Sequence, residues 1–226
     1  MVLACLVILL SPPAVDPWLD GALTLGAAAG WGGLHALQPG LVDTPCPCTR
    51  DQVNPLDRVA VGPDFPQAES LADALVITSM ALAAVSPPLL ADRPRDGLED
   101  ALLVAQSMVV AGLLTEGAKI AVGRPYPYMF GPAPYPEQNG DGVNYASFWS
   151  GHTAVPMAGA FAATTACRLR TPDRGRCWLP AALLGALALT AGGLQIAAEN
   201  HFPTDVATGA LVGAGVGWLI PVVHAW

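Results

Sequence analysis

Six apolar stretches alternate with polar connections along the chain, at lengths near the roughly 20 residues that carry a helix across a bilayer. They run over Trp18–Leu37, Ser70–Leu90, Ala101–Val122, Thr153–Cys167, Leu179–Ala198 and Asp205–Val223. The pattern predicts an all-α fold, a polytopic membrane helical bundle with about six transmembrane helices. Asp20 and His35 interrupt the first stretch. The connections are Gln38–Glu69, with Cys46, Cys48, Arg50 and Arg58, then the charged Asp92–Asp100 with Arg93 and Arg95. A loop rich in aromatic residues, Pro and Gly follows over Tyr126–Trp149, then the arginine-rich Arg168–Arg176 and a turn at Glu199–Pro203. Met1–Leu10 is apolar but too short to span. With Ser11-Pro12-Pro13-Ala14 behind it, it resembles a signal-peptide core that lacks the usual basic leader. Residues 1–15 are therefore read as either a signal peptide or a retained apolar segment, and 16–226 as one membrane domain.

Composition supports the membrane reading. Hydrophobic residues make up 53% of the 226 positions and charged ones only 12%, against about 25% charged in a soluble domain. A formal net charge of -8 excludes a nucleic-acid partner, which needs a basic face. Five cysteines show no Cys-x-x-Cys spacing for zinc. Cys46 and Cys48 lie too close for an easy mutual disulfide, so either is expected to pair elsewhere if their loop is extracytoplasmic. Arg168, Arg170, Arg174 and Arg176 place their loop in the cytoplasm by the positive-inside rule, and alternate crossings put Arg93 and Arg95 there too. The loops at Cys46, Tyr126–Trp149 and Glu199–Pro203 then share the outer side. A cleaved signal peptide would put this count one crossing out of phase.

Three polar clusters fall on that outer side: Lys119 with Arg124, Ser150-Gly151-His152, and His201 with Asp205. Within Ser147-Phe148-Trp149-Ser150-Gly151-His152-Thr153 a polar turn opens an apolar run. Ser150 is expected to cap the helix, Gly151 to let a ligand approach the backbone, and His152 to sit beside free amides as a proton donor. The plainer reading is a capped helix with an incidental histidine. His201 and Asp205 are four apart, so a helical turn puts them on one face, with Pro203 suited to its first turn. A carboxylate on one imidazole nitrogen fixes the tautomer and frees the other to attack. Here the plainer reading is an interfacial histidine and a helix cap. Ionisable groups at span ends more often line a cavity or site than face lipid.

Together the clusters resemble the three signature motifs of the type 2 phosphatidic acid phosphatase (lipid phosphate phosphatase) and vanadium haloperoxidase superfamily, over roughly Ala101 to the C-terminus. Lys119 occupies the lysine position of the first motif. Ser150, Gly151 and His152 match the second, with Trp149 where a proline usually stands. His201 and Asp205 match the nucleophile and its partner in a His-Phe-Pro-Thr-Asp run typical of bacterial members. Two positions depart. Tyr126 and Gln195 stand where the family has phosphate-binding arginines, and Arg124 is the nearby candidate substitute. Neither Tyr nor Gln brings charge, and a bidentate guanidinium contact is not replaced by them. Two lost contacts represent several kcal/mol, at roughly 1.5–3 kcal/mol per charged hydrogen bond.

The resemblance implies a membrane-embedded phosphatase with no metal and no cofactor, acting on a lipid or isoprenoid phosphate. In it His201 attacks phosphorus, Asp205 orients its ring, and His152 protonates the leaving group. Lys119, Ser150 and Gly151 hold the phosphate, with Arg124, Tyr126 and Gln195 lining the same site. It also implies a multi-pass protein of the bacterial inner membrane, with its site on the extracytoplasmic side. The alternatives are a catalytically degenerate or repurposed relative, a phosphotransferase on the same fold, a haloperoxidase, and a transporter or channel. Glu116 is expected to neutralise Lys119 one turn away. Glu199 and Asn200 flank His201 without an assigned role. Tyr126, Tyr128, Trp149 and Trp178 fit an interfacial aromatic belt. His35 and His224 have no partner nearby in sequence.

Overall fold

The computed structural model describes residues 13–43, 46, 48–62, 65, 67–131, 142–171 and 175–225. Met1–Leu10, part of the Tyr126–Trp149 loop and Arg174 lie outside the described residues. Six long helices are present among the described ones: α1 (Pro17–Leu41), α2 (Gln67–Leu90), α3 (Pro94–Val122), α4 (Gly151–Arg170), α5 (Leu179–Ala197) and α6 (Pro203–Val223). Each apolar stretch became one helix. The largest boundary difference is at α3, which starts at Pro94 inside the charged connection. Proline suits a first turn because its missing N–H has no partner there anyway. Asp96, Glu99 and Asp100 in the first turns are matched by Arg170 from α4, at 3.6, 3.0 and 2.6 Å.

The core is α4. Thirteen of its 20 residues are buried, and it packs against α2, α3, α5 and α6. Its side chains are mostly small, and α6 answers with Gly209, Gly213 and Gly217, one per helical turn. A Cβ on these glycines would meet the carbonyl oxygens of Ser150, Ala154 and Ala158 at 2.5, 2.2 and 2.3 Å. Only glycine permits so close a crossing, which is a common device where lipid supplies no hydrophobic drive between helices. The contact fixes the start of α4 against the start of α6, and so His152 against His201. The outer helices carry exposed Leu, Ile, Val and Trp side chains, among them Trp18, Ile77, Leu89, Leu183, Leu211 and Trp218. α2, α3, α5 and α6 are long and apolar enough to cross a membrane.

The arginine-rich connections meet at one end of the bundle, where Arg176 also bonds Asp92 and the Leu90 carbonyl. Lys119, Gly151, His152, His201 and Asp205 lie at the ends of helices on the other side. Cys46 and Cys48 are bonded to each other, which corrects the expectation that they pair elsewhere: a Cα separation of 4.8 Å brings the two sulfurs within bonding range. A second disulfide joins Cys167 to Cys177 at the arginine end. His224 likewise has a distant partner, donating to or accepting from Asp20 at 3.0 Å and thus tying the end of α6 to the start of α1.

Candidate active site

The end of α3 decides what the first cluster can do. Gly123 takes a left-handed conformation (φ 56°) and its N–H bonds the Lys119 carbonyl at 2.9 Å, a glycine C-cap. Lys119 therefore stays in the last turn, while Arg124 and Tyr126 leave the helix. Residues seven apart share a face only if the helix continues, and here it does not.

Arg124 turns into a buried ion cluster. Its guanidinium bonds Asp205 Oδ1, Asp57 Oδ2 at 2.7 Å and Thr204 Oγ1 at 2.9 Å, and lies 3.9 Å over the Phe202 ring. Asp57 comes from a 3-10 turn (Asp57–Ala60) in the connection before α2. It also accepts from Thr204 N–H at 3.0 Å, Thr204 Oγ1 at 2.7 Å and Asn54 Nδ2 at 2.6 Å. Both carboxylates are fully buried. Burial works against the charge of Asp57, but the bonds from Arg124 and Thr204 outweigh it and hold that carboxyl below its ordinary range.

His201 sits in the short turn between α5 and α6, with its ring 3% exposed. The Gln195 carbonyl accepts from the N–H groups of Asn200 and His201, at 3.0 and 3.2 Å, and shapes that turn. Nδ1 lies 2.8 Å from the Ser147 carbonyl. A carbonyl oxygen only accepts, so Nδ1 carries the proton and Nε2 bears the lone pair. Asp205 Oδ2 is 3.8 Å from Nδ1, beyond hydrogen-bond range. It accepts instead from Ser147 Oγ at 2.6 Å and Phe202 N–H at 2.9 Å. Asp205 thus reaches the imidazole through Ser147, where the sequence suggested direct contact. Burial pushes the His201 pKa below the ordinary histidine value, with the Asp205 carboxylate opposing it.

His152 occupies the first turn of α4, and its Nε2 is 2.9 Å from Asp73 Oδ1 on α2. The His152 and His201 ring centroids are 5.9 Å apart at 60°. Tyr126 flanks His201 at 6.0 Å and stacks on Tyr128, and Trp149 Nε1 donates to Thr115 at 2.8 Å. Both aromatics are therefore built into the site end of the bundle and are not free members of an interfacial belt. Ser150 holds the N-cap position, but its hydroxyl makes no cap bond; it accepts from Thr153 Oγ1 at 3.3 Å. Its N–H bonds the Asp205 carbonyl at 3.1 Å, joining α4 to α6.

A cavity of about 430 Å³ lies beside this pair, bounded by α1, α2, α3 and α4. Lys119, Gly151 and His152 line it together with Glu116, Thr115 and His35. Lys119 Nζ is 3.2 Å from Glu116 Oε1. His201, Asp205, Ser150, Arg124, Tyr126 and Gln195 are not among its lining residues; His152 is the member of the histidine pair that reaches it. Gln195 is fully buried, and neither side-chain amide atom has a partner among the described residues. No group of three His, Cys, Asp or Glu is placed to hold a metal ion among the described residues.

The family model described as the PAP2 superfamily matches residues 100–226. The chain belongs to the PAP2 superfamily. That match covers more than half the protein and contains every residue of the three clusters. Membership places the protein among phosphatases and phosphoryl-transfer proteins that work on lipid-like phosphates, and the apolar helices agree with a membrane-embedded member. Comparisons with curated proteins and with solved structures gave no match. Asp57 and Asp73, which contact Arg124 and His152, lie outside the matched stretch. In sequence they read as a loop acid and a helix acid, with no spacing to distinguish them. Ser147 was inside the conspicuous stretch but carried no signal beyond its neighbours.

Proposed function

We propose that the protein hydrolyses a membrane-embedded lipid or isoprenoid phosphate through a phosphohistidine on His201. The observation that carries this reading is the pairing of two imidazoles from separate elements, one with its Nδ1 proton committed to a backbone carbonyl and its Nε2 lone pair available. Nε2 of His201 attacks phosphorus as the bond to the leaving oxygen breaks, and His152 gives that oxygen its proton. Water then attacks the phosphohistidine, His152 takes the water proton, and the released phosphate leaves His201 neutral. Asp57, Arg124 and Asp205 together carry one net negative charge. Set behind Ser147, that charge favours the cationic imidazole as it forms. Lys119 and the amides at the start of α4 stabilise the phosphoryl oxygens. The substrate's chain reaches the cavity laterally, between α1 and α2. We assign the site to the extracytoplasmic face of a bacterial inner membrane, on the arginine content of the opposite end.

Release of inorganic phosphate from phosphatidic acid and from an isoprenyl phosphate in mixed micelles tests this. Turnover by the wild type should fall at least about a thousandfold in His201→Ala. Equal turnover in the variant would remove the nucleophile assignment.

One feature supports a second reading, a relative that has lost phosphate binding. Arg124 is consumed by two carboxylates, and the Gln195 amide brings no charge. Under that reading vanadate, a phosphate mimic, should bind no better to the wild type than to Lys119→Met.

A further inference from the structure

Glu116 is a carboxylate in the cavity where a phosphate is to bind, and the phosphatase reading gives it no task. Its Oε1 is shared by Lys119 Nζ at 3.2 Å and His35 Nδ1 at 3.4 Å. Its Oε2 is buried and has no hydrogen-bond partner among the described residues. The side chain is 5% exposed, and Glu116 lines the cavity together with Lys119 and His152. A buried carboxylate oxygen without a donor is costly, so a donor belongs beside it when the site is filled. A fully ionised phosphate cannot fill that role, because all its oxygens accept hydrogen bonds and a carboxylate repels it. The donor must therefore come from another part of the ligand.

Charge selects the kind of donor. Lys119 already balances Glu116, and an ammonium group would compete with it for the same carboxylate. A neutral hydroxyl satisfies Oε2 without a second cation. Lys119 then separates the phosphate from the carboxylate, and a hydroxyl on the carbon next to the phosphate ester reaches past it to Glu116. Trp31, Val76 and Met80 supply the apolar wall for a chain.

We propose that Glu116 is a specificity residue whose carboxylate, on turning its unpartnered oxygen toward the cavity, accepts a hydrogen bond from a hydroxyl carried next to the phosphate of an amphiphilic substrate. This rests on the phosphatase reading of the same cavity, and the test separates the two. Three probes of equal chain length are compared in detergent: 2-hydroxyhexadecyl phosphate, hexadecyl phosphate and 2-aminohexadecyl phosphate. Binding is followed by intrinsic tryptophan fluorescence, to which Trp31 contributes, and turnover by phosphate release. The wild type should bind the hydroxyl probe about ten- to a hundredfold more tightly than hexadecyl phosphate, the range for a hydrogen bond to a charged group. Glu116→Gln turns an amide donor toward the cavity and should abolish that preference. Glu116→Ala, which removes the oxygen without adding a donor, should do the same and serves if the first variant fails to fold. Equal binding of hydroxyl and plain probes by the wild type overturns the proposal, as does a preference that survives in either variant. Tighter binding of the amino probe overturns the choice of a neutral donor. Preferential binding of the hydroxyl probe without phosphate release leaves the Glu116 assignment standing and sinks the phosphatase reading instead.

Discussion

The two halves of the site are built on opposite terms. On the His201 side every charged group is answered and both carboxylates are fully buried: Asp205 by Arg124, Ser147 and Phe202 N–H, and Asp57 by Arg124, Thr204 and Asn54. On the His152 side the groups border a cavity, Asp73 is half exposed, and one oxygen of Glu116 is unanswered. A nucleophile must hold one orientation and one tautomer, which a closed network enforces. A substrate-facing wall must leave hydrogen-bonding capacity unspent until a ligand arrives. The contrast assigns Arg124 to the first task. Its charge counts toward the fold and toward Asp205, and the only cation lining the cavity among the described residues is Lys119.

The largest effect should come from opening the closed side. Arg124→Ala leaves two buried carboxylates facing each other, and breaking a buried pair costs about 3–5 kcal/mol. In a protein of this size that lowers the melting temperature by roughly 10 °C. Asp57→Asn, which keeps the shape and one acceptor, should cost less. A wild-type melting temperature for Arg124→Ala would place its charge in the cavity after all. On the open side, Lys119→Met strips one carboxylate, Glu116, of its lysine and leaves it His35, so it should lower the melting temperature by less than Arg124→Ala does. It should raise KM or lower kcat/KM by about ten- to a hundredfold, as expected for one lost charged contact. Unfolding of that variant would erase the distinction between the halves.

The smallest effect concerns pH. Because burial depresses the His201 pKa, the neutral imidazole persists below the ordinary histidine value of about 6.5. The acid limb of kcat/KM assigned to His201 should therefore lie below that value. The stability His201 contributes has the same sign. It is complete above the unfolded-state pKa and is lost as pH falls toward the folded one. An acid limb above pH 6.5 would show that His201 is not held by burial.

The division between the halves also marks what the chain's pattern could announce. Six apolar stretches gave six helices because hydrophobic length is a local property. Pro203 opening α6 and Gly123 closing α3 are local signals too. His152 and His201 were legible as a pair only through the spacing of three motifs. What brings them together is the Gly209, Gly213 and Gly217 edge of α6 against α4 carbonyls, a contact between helices that no single stretch encodes. Asp57 and Asp73 were invisible for the same reason. An acid in a polar connection and an acid in a helix look solvated until tertiary structure sets an arginine or a histidine beside them. Arg124 was conspicuous as a cation, yet its partner Asp57 lies 67 residues away, so its use could not be read from its neighbours.

Acid-labile phosphoenzyme is the direct signature of the central claim. Wild-type protein mixed with a radiolabelled lipid phosphate and quenched within milliseconds in alkaline detergent should carry label on His201. His152→Ala should gain and lose label more slowly than the wild type, because both steps use its proton, and His201→Ala should carry none. A wild type that turns over without ever holding label, or label that persists in His201→Ala, would contradict the account.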